Sequence, residues 1–193
     1  MNADTAAAAE ARTVVLVEGA SDQIALETLA VRRRRDLAAD GVHIIPMGGS
    51  KSAGTFLRRF GPRGLDKRLA GLCDSGEEGD FQRGLQRAGL GTNLTRDEME
   101  GVGFFVCVLD LEDELIRALG AEVVEAVVEE DGLLASLRIF QKQPAQRGRP
   151  PEAQLRRFMG TRRGRKLHYA RLLVEALDLD SVPLPLDRLL AHL

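Results

Sequence analysis

A continuously apolar run, Val14-Val15-Leu16-Val17, stopped at once by Glu18-Gly19-Ala20, is the feature that most restricts how this chain can fold. With no polar residue alternating into it, such a strand must be covered on both faces, the condition of strands in parallel sheets layered between helices. The pattern recurs. Val42 to Met47 runs into Gly48-Gly49-Ser50, Arg68 to Cys73 into Asp74-Ser75-Gly76, and Gly103 to Leu109 into Asp110-Leu111-Glu112. Between these runs the spacing is helical. Ile24, Leu26, Leu29 and Ala30 form one apolar stripe, with Ser21 as the expected cap and Arg32 to Arg35 at the carboxyl end. A short helix is expected from Thr55 to Phe60 and another from about Asp80 to Ala88. Strands that alternate with helices and lack hairpin turns predict parallel pairing through right-handed crossovers, in an α/β layer structure of about four strands.

Beyond Leu109 the pattern turns helical, with helices expected over 112–119, 121–130, 133–141, 152–159 and 165–177 and a last short one after Pro183 and Pro185. The opening MNADTAAAAEAR has no cap and no amphipathic stripe, so residues 1–12 read as a flexible tail. Residues 13–193 then read as a single domain, with a core over about 13–120 and a helical, basic part over about 121–193. No apolar run is long enough to cross a bilayer and no signal segment is visible, which predicts a soluble, cytoplasmic protein with no membrane partner. Cys73 and Cys107 sit inside apolar runs without metal-ligand spacing, which excludes a disulfide scaffold and a structural zinc site.

Charge is unevenly placed although the net value is only -2. Residues 138–171 hold eleven Arg or Lys against the single acid Glu152, while residues 110–131 hold nine acids against the single base Arg117. Such blocks point to a face for a polyanion.

Acids also mark the strand ends: Glu18 with Asp22, Asp74, and Asp110 with Glu112. In an open parallel sheet all carboxyl ends lie on one edge, so these residues converge there. Crowded carboxylates repel, and a hard divalent cation with oxygen ligands is the usual reason to tolerate them. The same acids also suit helix caps, a reading open for Asp22 and Asp74 and preferred for Asp113 and Glu114. It does not suit Glu18, which ends a buried strand directly.

VVLVEGASD, residues 14–22, resembles the first motif of TOPRIM domains, an apolar strand ending in Glu-Gly with an acid four residues after the Glu. VEGASDQIALETLA, followed by a strand and Pro46-Met47-Gly48-Gly49, is similar to the TOPRIM domain of OLD-type ATP-dependent nucleases. VCVLDLEDELIRALG resembles the segment that supplies a further metal ligand there, and GRKLHYARLLVEAL the helical segment that brings a catalytic lysine. The resemblance implies a TOPRIM, Rossmann-like fold with a helical C-terminal extension. It further implies a DNA-cleaving or nicking nuclease using two Mg²⁺ or Mn²⁺ ions on Glu18, Asp22, Asp74 and Glu112. Glu18 and Lys166 would be catalytic, and Lys51, Arg162, Arg163, Arg165 and Lys166 would contact nucleic acid.

Two departures stand out. The second TOPRIM motif is Asp-x-Asp, whereas Asp74-Ser75-Gly76-Glu77-Glu78 lacks the second acid unless Glu77 or Glu78 replaces it. No ATPase segment is present, and Gly48-Gly49-Ser50-Lys51-Ser52 lacks the Gly that a phosphate loop requires before its Lys, so no ATP site is expected. The same loop could place Ser50 and Lys51 on a phosphate or simply form a turn. The resemblance leaves open DNA or RNA as substrate, a separately encoded ATPase as partner, homodimerisation, and a degenerate TOPRIM that binds without cleaving.

Overall fold

The computed structural model describes residues 3–162 and 164–193. Its frame is a four-stranded, wholly parallel sheet of β1 (Thr13–Val17), β2 (Val42–Pro46), β3 (Arg68–Cys73) and β4 (Phe104–Val106) in the order β2-β1-β3-β4. The α/β class, the strand count and the helical C-terminal part agree with the expectation. All five residues of β1 are buried, as its unbroken apolar run requires. Its side chains alternate between two cores. Val15 and Val17 face one side and Val14 and Leu16 the other.

On the first side lie α2 (Ala20–Arg32), α6 (Leu111–Leu119), α7 (Ala121–Glu130), α8 (Leu134–Gln141), α9 (Pro151–Met159), α10 (Arg165–Ala176) and α11 (Leu184–His192). The second side is covered by α1 (Ala3–Glu10), α3 (Ala53–Phe60), α4 (Glu78–Ala88) and α5 (Arg96–Gly101). One glycine is demanded by this packing. A Cβ on Gly71 of β3 would stand 2.7 Å from the Leu16 carbonyl oxygen and 2.8 Å from the Phe104 ring.

Three local expectations are corrected and one helix is added. The flexible tail is instead the helix α1, whose Ala8 is fully buried against the second core; a single small residue carries that docking, so no amphipathic stripe announces it. Ser21 does not cap α2. Gly19 is the cap residue, and the Asp22 carboxylate takes the Gly19 amide at 2.7 Å. The expected fourth strand, 103–109, pairs only over Phe104–Val106, because the Val108 amide turns to the Glu114 carboxylate at 2.6 Å. Helix α5 was not foreseen, although Thr95 and Glu98 form the reciprocal capping pair that marks such a start. Both cysteines are buried, on opposite faces of the sheet. Among the described residues no helix is long and apolar enough to cross a membrane.

Candidate metal centre

Parallel pairing brings the carboxyl ends of the strands to one edge, and the acids arrive there on separate elements. Glu18 follows β1, Asp22 lies in the first turn of α2, Asp74 follows β3 and Glu112 lies in the first turn of α6. Together with Lys166, in the first turn of α10, and with Gly19, Ser21, Gly48 and Gly49, they line a cleft of about 310 Å³. The loop after β2 closes one wall. Its Gly48 and Gly49 amides both donate to the Glu18 carbonyl oxygen, at 3.0 and 3.1 Å. Both glycines have positive φ, 72° and 118°, which explains the Gly-Gly pair without any phosphate.

The cleft is short of positive charge. Burial, and then the neighbouring Glu18 and Asp22, push the Asp74 carboxyl up to about 8. Burial pushes Asp22 up to about 7 despite the opposing Gly19 hydrogen bond. Glu18 is raised by burial and by the Glu77 charge, while Lys166 and a carboxyl hydrogen bond with Asp74 pull the other way. Glu112 is 3% exposed and receives the Lys166 ammonium at 3.0 Å. Burial lowers the Lys166 pKa, but the Glu112 charge and hydrogen bond outweigh it and leave it raised.

Two carboxylate oxygens, Glu18 Oε2 and Glu112 Oε1, are shielded from solvent and have no hydrogen-bond partner. Buried carboxylate oxygens normally have one. Orphaned oxygens in an all-carboxylate cleft fit a hard divalent cation. Among the described residues, however, no three Asp, Glu, His or Cys side chains stand close enough together to hold one ion.

The remaining expected residues divide. Lys51 and Arg162 are exposed, and Arg163 lies outside the described residues. Arg165 differs from these. It is 7% exposed, stacks on Phe158 with its guanidinium carbon 4.1 Å from the ring centroid, and donates to Phe158 O at 3.2 Å and Thr161 Oγ1 at 2.7 Å. The guanidinium is buried and its Nη1 is committed to the end of α9.

Ser50 is buried as well, and its hydroxyl hydrogen-bonds the Glu77 carboxylate. Of the two acids that could replace the missing one, Glu78 is held by Arg96 at 2.8 Å, whereas Glu77 is the neighbour whose charge most raises Glu18. The charge blocks also partly consume each other: Asp110 with Arg156, Glu112 with Lys166 and Glu125 with Arg138. Sequence order separates these partners by 13 to 54 residues, so no local signal pairs them.

The family described as Overcoming lysogenization defect protein-like, TOPRIM domain, matches residues 11–75, from the start of β1 to the turn after Asp74. The C-terminal region of the Xanthomonas campestris pv. campestris OLD protein superposes with a TM-score of 0.69 at 24% identity, over 94% of each chain. The C-terminal region of the Burkholderia pseudomallei OLD protein superposes with a TM-score of 0.69 at 20% identity, over 94% of this chain and 96% of that one. No curated protein matches the chain in sequence. The matched segment holds Glu18, Asp22 and Asp74, and the fold shared with the OLD C-terminal regions continues through the elements that carry Glu112 and Lys166: residues 11–75 match the OLD-like TOPRIM family, and the chain as a whole has the fold of those C-terminal regions.

Proposed function

We propose that this chain is a metal-dependent nuclease that cleaves or nicks DNA, with the cleft of Glu18, Asp22, Asp74, Glu112 and Lys166 as its active site. One observation carries the reading: carboxylates from four separate element ends meet a lysine in one cleft that leaves two shielded carboxylate oxygens without a partner. Glu18, Asp22, Asp74 and Glu112 would hold Mg²⁺ or Mn²⁺, with Glu77 as the further acid. A bound pair of such ions supplies Lewis acidity at the phosphate and a nucleophile at neutral pH.

The chain's own groups do the rest. The Lys166 ammonium neutralises charge that builds on the phosphate during in-line displacement. Helices α2, α6 and α10 all begin at the cleft, so their positive ends favour an anionic substrate there. Glu18, with its proton affinity raised by burial, suits acid–base work beside its ligand role. Lys51 and Arg162 are exposed to meet the DNA backbone, without base reading.

Supercoiled plasmid incubated in Mg²⁺, Mn²⁺ or EDTA, with the wild type and with Glu18→Ala, tests this. Nicked or linear product is expected only with metal and only from the wild type; an intact plasmid with both metals refutes it. A second reading, a module that binds DNA without cutting it, is favoured by the absence of three metal-type side chains close enough for one ion among the described residues. A salt-sensitive DNA complex without turnover would support that second reading.

A further inference from the structure

Helix α10 starts badly by every local rule. Its cap position is Gly164, in the left-handed region at φ 82°, and no side chain caps its free amides. Its first two residues are the cations Arg165 and Lys166, at the helix end where the backbone dipole disfavours positive charge. Such a turn frays unless something outside the helix holds it. Lys166 has one tether, its contact with Glu112. The other belongs to Arg165. Its side chain reaches back over the end of α9, where the Phe158 carbonyl oxygen and the Thr161 hydroxyl take its Nη1 and the Phe158 ring takes its face. Thr161 Oγ1 in turn donates to the same Phe158 carbonyl oxygen at 2.7 Å, so Arg165, Thr161 and Phe158 are tied together where α10 begins. Phe158 is 1% exposed and packs on Phe140, which roots the turn in the core. A buried guanidinium is an expensive way to build a turn that an apolar side chain could fill, unless its geometry matters.

We infer that Arg165 is a positioning residue for Lys166: by pinning the first turn of α10 to the end of α9, it holds the neighbouring ammonium in the cleft. The inference rests on the proposed nuclease reading for its catalytic consequence, though not for its structural one. In this reading Arg165 does not contact DNA, and it does not line the cleft. Its loss therefore acts through Lys166, on turnover and on the phosphate contact Lys166 makes, and adds no loss of its own.

The test compares Arg165→Met, Lys166→Met, the double variant and Thr161→Val in the full chain, with far-UV circular dichroism to confirm folding. Thr161 is exposed, so its variant reports even where Arg165→Met does not fold. Arg165→Met should lower the single-turnover nicking rate on the order of 100-fold, the scale of losing one charge-stabilising group. The double variant should be no slower than Lys166→Met, because both changes remove the same function. Thr161→Val should move in the same direction by less.

The double variant should bind DNA with the same affinity and salt slope as Lys166→Met, whereas removing a phosphate-contacting arginine as well would flatten the slope by about 1 more. A slope flatter in the double variant than in Lys166→Met, or rate losses that multiply there, overturns the inference. If the wild type cuts nothing, the nuclease reading fails and the positioning claim is read from hydrogen exchange instead. The amides of residues 165–168 should exchange faster in Thr161→Val and Arg165→Met, and unchanged exchange overturns it.

Discussion

Replacing Asp22 by Asn should make the metal-free protein more stable at alkaline pH while removing its response to metal. Asp22 is 7% exposed and its carboxyl is pushed from an ordinary 3.8 up to about 7, chiefly by burial. In the folded state it therefore holds a proton over the window from about 4 to 7 in which the unfolded chain has released it. Folded protein binds more protons than unfolded in that window, so stability falls as pH rises through it and the full penalty is present above 7. A tenfold difference in proton affinity is worth about 1.4 kcal/mol, so a thousandfold difference amounts to about 4 kcal/mol at full ionisation.

Asn carries no charge at any pH, and its side-chain oxygen still accepts the Gly19 amide that Asp22 accepts at 2.7 Å. The start of α2 is thus preserved. Urea unfolding in EDTA should show Asp22→Asn gaining on the wild type by about 3 kcal/mol between pH 5 and pH 9. Even half of that would raise Tm by roughly 3–6 °C for a chain of this size. In saturating Mg²⁺ the order should reverse at pH 9, because only the wild type keeps the ligand. A gap that is the same at pH 5 and pH 9 would mean a packing effect, and a less stable variant at pH 9 in EDTA would refute the charge argument outright.

Other consequences are simpler to check. The rise in Tm on adding Mg²⁺ should grow from pH 6 to pH 9, since protons on Asp22 and Asp74, at about 7 and about 8, compete with the ion; a constant rise would contradict this. Arg156→Met should destabilise the protein by about 2 kcal/mol in urea unfolding, because Asp110 is buried and loses its partner while half-exposed Arg156 limits the cost. Gly71→Ala should cost about 1–3 kcal/mol, as its Cβ would press on Leu16 O and the Phe104 ring; a neutral result would show that β3 and β4 can part freely.

Strands were legible because each is an apolar run with no alternation, and Arg68–Cys73 coincides with the expected strand end to end. The meeting of Glu18, Asp22, Asp74 and Glu112 was legible for a geometric reason, since parallel strands share one carboxyl edge whatever their order in the sheet. What stayed hidden depends on direction rather than type. Arg165 and Lys166 are adjacent cations, and only the rotation of α10 turns one into the core and the other to the cleft. Ser50 reads as a polar loop residue until the fold sets Glu77 against it. The acidic and basic blocks read as separate faces because composition does not reveal that α6 and α7 lie across from α8, α9 and α10.

Arg32 to Arg35 show how much more such a run can do than complement the dipole of its own helix. Arg32 Nη1 donates to the carbonyl oxygens of Val174 and Leu177, both at 2.7 Å, closing off the last turn of α10 from a neighbouring helix. Arg33 reaches Leu179 O and Asp187, and Arg35 reaches Leu190 O, so the same run also holds α11. From Asp22 to Arg32 along α2 is about 15 Å, and from Lys166 to Val174 and Leu177 along α10 about 12–16 Å, at about 1.5 Å per residue. The two helices pack together, start at the cleft and are fastened at matching distance from it. With its far end tied to α2, α10 is held along its axis, so the height of Lys166 against the sheet edge is set from a point remote from the cleft. Its direction is set locally, by the turn that Arg165 closes. Glu18 and Asp74 follow the strand ends, and Lys166 rides on a helix anchored at both ends and meets Glu112 directly, so the opposed charges of the cleft are held in place from separate elements.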